Sequence, residues 1–178
     1  MTERELIEGS IKGKAACQKQ LFELYSGRMM SLCLRYTNRQ EDAEDVFQDG
    51  FVRVFDYMHQ YRFEGSFEGW MRRIFVHVAA RMMQKRKLVF TEMGDAENYI
   101  HAVEPSIVSR LSEDEIHQLI RGMPDGYRMV FNLHVIEGYS HDEIARLLGI
   151  QPSTSRVQLL KARRHLQDLI RNIQHSKT

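Results

Sequence analysis

The amino-acid sequence predicts an all-α protein in which a linker joins two small helical domains. Only three prolines occur among 178 residues, so long stretches lack the strongest helix breaker. Apolar residues recur at spacings of three and four through most of the chain, which is the period of an amphipathic helix. This periodicity weakens over residues 91–112, where glycine, proline and scattered acids occur. We therefore predict a first domain at residues 1–90, a linker at 91–112 and a second domain at 113–178.

The composition is that of a folded protein without a membrane segment. Hydrophobic residues make up 43% of the chain and charged residues 28%. No apolar run approaches the ~20 residues needed to cross a bilayer, and the first residues lack the order of a secretory signal, so we expect a cytoplasmic protein. Cys17 and Cys33 have no partner at a zinc-like spacing. We expect both to fill the core, and we expect neither a metal nor a cofactor.

The formal net charge of +1 hides an uneven distribution of charge along the chain. Residues 41–49 carry five acids and no Lys or Arg, whereas residues 69–91 carry six basic residues and no acid. After Gln151 there are six basic residues and one acid, Asp168. Two basic segments and one acidic segment indicate two contacts with a polyanion and one with a basic partner.

The first domain contains three predicted helices and a loop. The helices cover residues 16–36, 41–58 and 70–87, and the acids of the second lie in its first turns, where the helix dipole favours them. The acidic cluster is therefore either a binding surface or only a solvated helix start. Residues 59–69, which we call the aromatic loop, contain two glycines and three aromatic residues. This composition is typical of a loop that binds something.

The second domain ends in a predicted helix-turn-helix. Ser140 and Glu143 have the spacing of a capping box, which marks a helix start. The short helix that follows is expected to bury Ile144, Ala145, Leu147 and Leu148. Gly149 is expected to form the turn, and the second helix is expected to begin near Pro152 or Ser153.

The second helix of this motif has one apolar face and one polar, basic face. Short hydroxyls and long donors at a helix start reach phosphates and base edges in a major groove, although a basic face can also be merely solvated. The residues predicted to contact DNA are Ser153, Thr154, Arg156, Gln158, Lys161 and Arg164.

These motifs resemble the sigma-70 family of RNA polymerase sigma factors, in the extracytoplasmic-function (ECF) group. The resemblance covers residues 119–169 and 36–87, in the order and spacing of the family. In the second domain the matching residues are Met123-Pro124, Tyr127-Arg128, Val130-Phe131, Glu137-Gly138, Ser140, Glu143-Ile144-Ala145, Leu148-Gly149-Ile150 and Ala162-Arg163. In the first domain they are Asp42-Ala43-Glu44-Asp45-Val46, Gln48-Asp49, the run from Tyr61 to Phe67, Trp70 and Arg72-Arg73-Ile74.

The resemblance implies a function for each charged segment. It implies that core RNA polymerase is bound through the coiled coil of its largest subunit and through its flap, and that an anti-sigma factor is a further partner. The implied contacts to the polymerase are Asp42, Glu44, Asp45, Gln48 and Asp49. The implied contacts to the minus-10 element of promoter DNA, where strands separate and a base is flipped, are Arg62, Phe63, Ser66, Phe67, Trp70, Arg73, His77 and Arg81. The basic face of the last helix would read the minus-35 element.

The chain departs from the family pattern at three positions. His77 stands where the family commonly has asparagine, Ser153 where it has glycine and Ser155 where it has valine. We expect the two serines to change the start of the last helix.

Two other classes of function compete with this one. A stand-alone helix-turn-helix regulator, with a sensor or dimerisation domain in its N-terminal half, leaves the pattern of residues 36–87 unexplained. An enzyme would have to use His77, His134 or His141 with a nearby carboxylate. The sequence has no zinc-protease histidine pair, no nucleotide-binding glycine loop and no Ser/His/Asp signature. We therefore predict no catalytic residue.

Overall fold

The structure is a computed structural model that describes residues 1–86 and 111–176. In these ranges the chain forms eight α-helices and no strand, which confirms the all-α prediction. The helices are α1 (Glu3–Ile11), α2 (Ala15–Tyr36), α3 (Gln40–Tyr57), α4 (Phe67–Lys85), α5 (Glu113–Arg121), α6 (Asp125–Phe131), α7 (His141–Leu148) and α8 (Pro152–Ser176). A short 3-10 turn, Met58–Gln60, follows α3, and a π-helical stretch, Asn132–Ile136, continues α6.

The chain divides into two compact units, Met1–Met82 and Met83–Thr178. Of the linker predicted at 91–112, only the last two residues belong to the described ranges. None of the helices in those ranges is long and apolar enough to cross a bilayer.

Helix α1 begins the first unit and was not predicted from the sequence. Thr2 and Glu5 form a capping box, because Thr2 Oγ1 accepts a hydrogen bond from the Glu5 amide at 3.3 Å and the Glu5 carboxylate accepts one from the Thr2 amide at 2.7 Å. Leu6 and Ile7 are buried, and α1 packs on α2. The capping spacing was the signal that could have found this helix.

Both cysteines are buried in the first unit and neither forms a disulfide, so the prediction that they fill the core is confirmed. Burial raises the pKa of the Cys33 thiol to about 12. Leu24 of α2 is 49% exposed. The buried stripe of α2 runs through Leu21, Tyr25 and Leu32 at helical spacing, and Leu24 lies beside it.

Helices α3 and α4 pack closely where α3 carries a glycine. The ring of Phe75 in α4 occupies the space that a Cβ on Gly50 would need, so a larger residue at position 50 would force the ring away. Phe51 of α3 and Phe75 meet edge to face with centroids 5.3 Å apart. This contact fixes α4 against the helix that carries the acidic cluster.

The second unit has a core made by α5, α6 and α8, centred on Ile120, Met123 and Ala162. The turn predicted at Gly149 is confirmed. Gly138 and Gly149 have φ of 78° and 67°, the left-handed conformation that glycine adopts without a steric penalty. Helix α8 begins at Pro152, as predicted.

Candidate nucleic-acid interface

The helix-turn-helix of the second unit is formed by α7 and α8. The predicted capping box is confirmed: Ser140 Oγ accepts from the Glu143 amide at 3.1 Å, and the Glu143 carboxylate accepts from the Ser140 amide at 2.7 Å. Hydrogen bonding of the Glu143 carboxylate to the backbone amide of Ser140, and secondarily to the Ser140 side chain, lowers the pKa of Glu143. Ile144, Ala145 and Leu148 are buried as expected, whereas Leu147 is only half-buried.

Five of the six residues predicted to contact DNA from α8 are accessible. Ser153 and Arg156 are exposed, and Thr154, Lys161 and Arg164 are half-buried.

Gln158, the sixth residue predicted to contact DNA, is only 1% exposed, so it does not have the accessible position expected from the sequence. Gln158 lies three residues after Ser155 and four before Ala162, and both of these are fully buried, so all three share the face of α8 that packs inward. Among the described residues, its Nε2 has no hydrogen-bond partner.

A polar contact that the sequence did not reveal joins α7 to the first turn of α8. His141 Nδ1 lies 2.8 Å from Ser155 Oγ, and Ser155 is fully buried. The His141 ring stacks on that of His134, with centroids 4.4 Å apart and an interplanar angle of 14°. Burial, followed by the proximity of His134 and of two arginines of α8, lowers the pKa of His141.

The aromatic loop of the first unit is built on a cluster of rings that pack at tilted and edge-to-face angles. Tyr61 lies 5.0 Å from Phe63, 5.2 Å from Phe67 and 5.6 Å from Trp70, measured between ring centroids. The Tyr61 hydroxyl donates to the carbonyl of Gly65 at 2.8 Å, and Gly65 has a φ of 78°. These contacts hold the loop in a single compact turn.

Helix α4 begins earlier than predicted, at Phe67 instead of Trp70. Ser66 Oγ accepts a hydrogen bond from the Gly69 amide at 3.0 Å, as the residue just before a helix commonly does. The early start places Phe67 inside the unit, where it is 1% exposed and packs on Tyr25 and Trp70. Phe67 is therefore a core residue, and not the accessible ring that the sequence predicted for the minus-10 element.

The other residues predicted for the minus-10 element are accessible. Phe63 is 36% exposed and Trp70 is half-buried, so Trp70 belongs partly to the core, as its stack on Phe67 shows. Partial desolvation by neighbouring side chains lowers the pKa of His77. The remaining members of the set are exposed, namely Arg62, Ser66, Arg73, His77 and Arg81. The last three of these follow one another at intervals of four residues and so share one face of α4.

The acidic cluster of α3 presents four of its five predicted residues to solvent. These are Glu44, Asp45, Gln48 and Asp49, which we call the acidic surface. Asp42, the fifth predicted polymerase contact, is 3% exposed and so is not part of the acidic surface. It lies one residue before the buried Ala43 and four before the buried Val46, on the inward face of α3. Val52, one helical turn after Gln48, is an apolar residue that is 59% exposed next to the acidic surface.

No group of three His, Cys, Asp or Glu side chains in residues 1–86 and 111–176 could hold a metal ion. What the described residues do provide is an acidic surface on α3, a ring-lined loop with a basic helix face, and a basic helix-turn-helix.

Comparison with known proteins identifies the family. Residues 21–89 match the family model "Sigma-70 region 2", and residues 113–166 match "Sigma-70, region 4". The ECF RNA polymerase sigma factor SigE of Mycolicibacterium smegmatis is 30% identical over 157 residues, which are 85% of this chain and 60% of that longer protein. The ECF RNA polymerase sigma-E factor of Haemophilus influenzae is 25% identical over 182 residues, covering 96% of each chain.

The fold is also similar to that of a solved sigma factor. RpoE of Bartonella quintana, crystallised with the anti-sigma factor NepR, matches with a TM-score of 0.51 at 18% identity. The match covers 86% of this chain and 96% of that one. From the two family models and the ECF relatives, we conclude that the chain belongs to the sigma-70 family, in its extracytoplasmic-function group.

Proposed function

We propose that this sigma factor binds core RNA polymerase and directs promoter-specific transcription initiation through three separate surfaces. The observation that carries the proposal is that each surface keeps an accessible set of the residue types its partner requires. Residues 1–90 would act as the polymerase-binding and minus-10 domain, and residues 113–178 as the minus-35 domain.

The acidic surface is proposed to bind the coiled coil of the polymerase's largest subunit. Glu44, Asp45 and Gln48 are exposed on neighbouring turns of one helix, which the packing of Phe75 against Gly50 holds in place. Arg53 donates to both carboxylate oxygens of Asp49 at 3.1 Å, so Asp49 is already partly neutralised. Asp45 is therefore the residue on which we expect binding to depend most. The second unit is proposed to contact the polymerase flap.

The aromatic loop and α4 are proposed to open the minus-10 element. Phe63 and Trp70 present partly exposed rings, and stacking of a base on a ring contributes ~1 to 3 kcal/mol. Arg73 and Arg81 on the exposed face of α4 are placed to bind the phosphates of the separated strand. This combination favours a flipped base held by the loop, with its backbone bound along the helix.

The start of α8 is proposed to read the minus-35 element in the major groove. Ser153, Thr154 and Arg156 lie at the helix start, and Lys161 and Arg164 follow along the same helix. Two of these five are exposed, and the others are half-buried. Their side chains are long or carry a hydroxyl, the types that bind DNA backbone oxygens.

Regulation is proposed to come from an anti-sigma factor, because RpoE of Bartonella quintana forms a complex with the anti-sigma factor NepR. We propose further that the protein works in the cytoplasm, where bacterial transcription occurs, and that it catalyses no reaction of its own, since the relatives named above are sigma factors. The stand-alone regulator is not favoured, because residues 21–89 match region 2 of the sigma-70 family.

The proposed docking surface is tested by measuring the affinity of the purified chain for core RNA polymerase. Asp45→Arg is expected to weaken binding at least tenfold, because it places a cation against a basic partner. Glu23→Arg makes the same change in charge at an exposed position of α2, outside the acidic surface, and it should bind as the unaltered chain does. Equal affinity of Asp45→Arg and Glu23→Arg for the polymerase would refute the docking surface.

A further inference from the structure

Two hydrogen bonds and one ring stack connect the residues just before α7 with the first turn of α8. The His134 ring donates a hydrogen bond from Nδ1 to the carbonyl of Tyr139 at 2.9 Å. The same ring stacks on His141, whose Nδ1 lies 2.8 Å from the hydroxyl of Ser155. These contacts link two histidines and a serine across the helix-turn-helix, from a backbone carbonyl to the start of α8.

The hydrogen-bond partners constrain where the protons lie. A carbonyl oxygen only accepts, so the Nδ1 atom of His134 carries a hydrogen. The lowered pKa of His141 favours its neutral ring, and the Nδ1 atom of that ring shares one hydrogen bond with the Ser155 hydroxyl, which can donate or accept according to the tautomer. The charged and titratable groups that act on His141 are His134, Arg156, Arg163 and Asp142. All but Asp142 oppose a positive charge on the ring.

Ser155 is the one buried residue among the first four of α8. Pro152 and Thr154 are half-buried and Ser153 is exposed, so the first turn has no buried apolar side chain. An apolar contact tolerates some rotation of a helix about its axis, whereas a hydrogen bond is directional. The bond from Ser155 to His141 therefore restricts the rotation of the turn that presents Thr154 and Arg156.

We propose that His141 and Ser155 are positioning residues for promoter recognition, which hold the first turn of α8 at the angle from which it reads the minus-35 element. The inference rests on the proposed function and deepens it. Neither side chain is required to touch DNA. Both act through Thr154 and Arg156, the accessible neighbours of Ser155. How far these two side chains extend into the groove depends on the rotation of the first turn of α8.

The experiment uses the full chain with core polymerase on promoters that the unaltered chain selects from a library, with the minus-35 positions then randomised. His141→Phe and Ser155→Ala each remove the hydrogen bond, and the phenylalanine keeps a ring on His134. His141→Asn keeps a polar atom near the position of Nδ1 and is the conservative variant. His175→Asn, in the last turn of α8, is the matched control.

We expect His141→Phe and Ser155→Ala to change which minus-35 bases are preferred and to reduce discrimination by about threefold to tenfold, the factor that corresponds to one lost hydrogen bond. The double variant should match the single ones, since both break the same bond. His141→Asn should restore most of the original preference, and His175→Asn should leave it unchanged.

The inference is overturned if His141→Phe and Ser155→Ala keep the original base preference, even when their melting temperatures fall, because the two residues would then be structural only. Melting temperatures measured alongside identify any variant that fails to fold, and Ser155→Ala, which removes a single oxygen, then decides the question. Absence of promoter-specific initiation by the unaltered chain is a different result. It would refute the proposed function itself.

Discussion

The guanidinium of Arg4 lies over the ring of Phe63, 4.8 Å from the ring centroid. Phe63 has a φ of 58°, a left-handed conformation that costs a residue with a side chain about 1 to 2 kcal/mol. The tilted contact of the Phe63 ring with the Tyr61 ring and the cation above Phe63 offset that cost. Helix α1 thus contributes to the shape of the aromatic loop.

Arg4→Ala is therefore expected to slow opening of the minus-10 element by about twofold to fivefold, because an exposed cation–π contact contributes ~0.5 to 1 kcal/mol. Opening is followed by the fluorescence of 2-aminopurine placed in the minus-10 strand. Lys12→Ala, an exposed cation just after the same helix, is the control. Equal opening rates for Arg4→Ala and the unaltered chain would show that α1 does not support the loop.

Arg128 is a fully buried cation that ties together the turn between α5 and α6. Its guanidinium donates to the carbonyls of Arg121 and Met123 at 3.1 and 2.7 Å and pairs with Asp125. Arg128→Met is expected to lower the unfolding free energy of the second unit by about 2 to 4 kcal/mol, because it leaves these groups without their donor. Urea denaturation followed by circular dichroism measures the change.

The control for Arg128 is Arg146→Met, which removes an exposed arginine of α7. It should alter stability by less than about 0.5 kcal/mol. If the two variants unfold at the same urea concentration, the buried guanidinium does not stabilise the turn.

Replacing the buried Gln158 with an apolar residue is expected to make the protein more stable. Its buried Nε2 has no hydrogen-bond partner in the described ranges, and an unsatisfied buried donor costs about 1 to 3 kcal/mol. Gln158→Met, of similar length, should raise the unfolding free energy by about 1 kcal/mol and leave transcription unchanged. Gln174→Met, at an exposed position, should change neither the unfolding free energy nor transcription. Loss of minus-35-dependent transcription in a folded Gln158→Met protein would mean that Gln158 does contact DNA.

The pKa of His141 predicts a loss of stability in acid. The folded chain resists protonation of this ring, whereas the unfolded chain takes up a proton near the ordinary pKa of 6.5. The contribution of the neutral His141 to the unfolding free energy is therefore fully present above pH 6.5. It is lost progressively as the pH falls from 6.5 toward the pKa of the folded chain. Melting temperatures between about pH 7.5 and pH 5 should fall less for His141→Phe than for the unaltered chain. Identical pH profiles would contradict a protonation-resistant His141.

The features that the sequence predicted correctly depend on neighbouring residues. The capping box of Ser140 and Glu143, the left-handed Gly149 and the helix start at Pro152 each follow from residues within one turn of each other. Helix α1 has an equally local capping signal at Thr2, but its nine residues are too few for a clear apolar period.

The features that the sequence missed depend on packing between elements. Asp42 and Gln158 are polar residues on inward helix faces, and residue type alone placed them outside. Phe67 is buried because its ring meets Tyr25 of a helix far away in the sequence. The hydrogen bond of His141 to Ser155 joins residues that are 14 positions apart, on either side of the turn. No local sequence pattern predicts it.

Promoter-specific transcription by the purified chain with bacterial core RNA polymerase is the most direct test of the proposed function. A library of promoter fragments is transcribed with the unaltered chain, with Asp45→Arg and with no added sigma factor, and the start sites are sequenced. We predict start sites at a defined set of promoters that share minus-10 and minus-35 elements, and loss of those starts with Asp45→Arg. Start sites that are the same with the chain and without it would contradict a role in promoter selection.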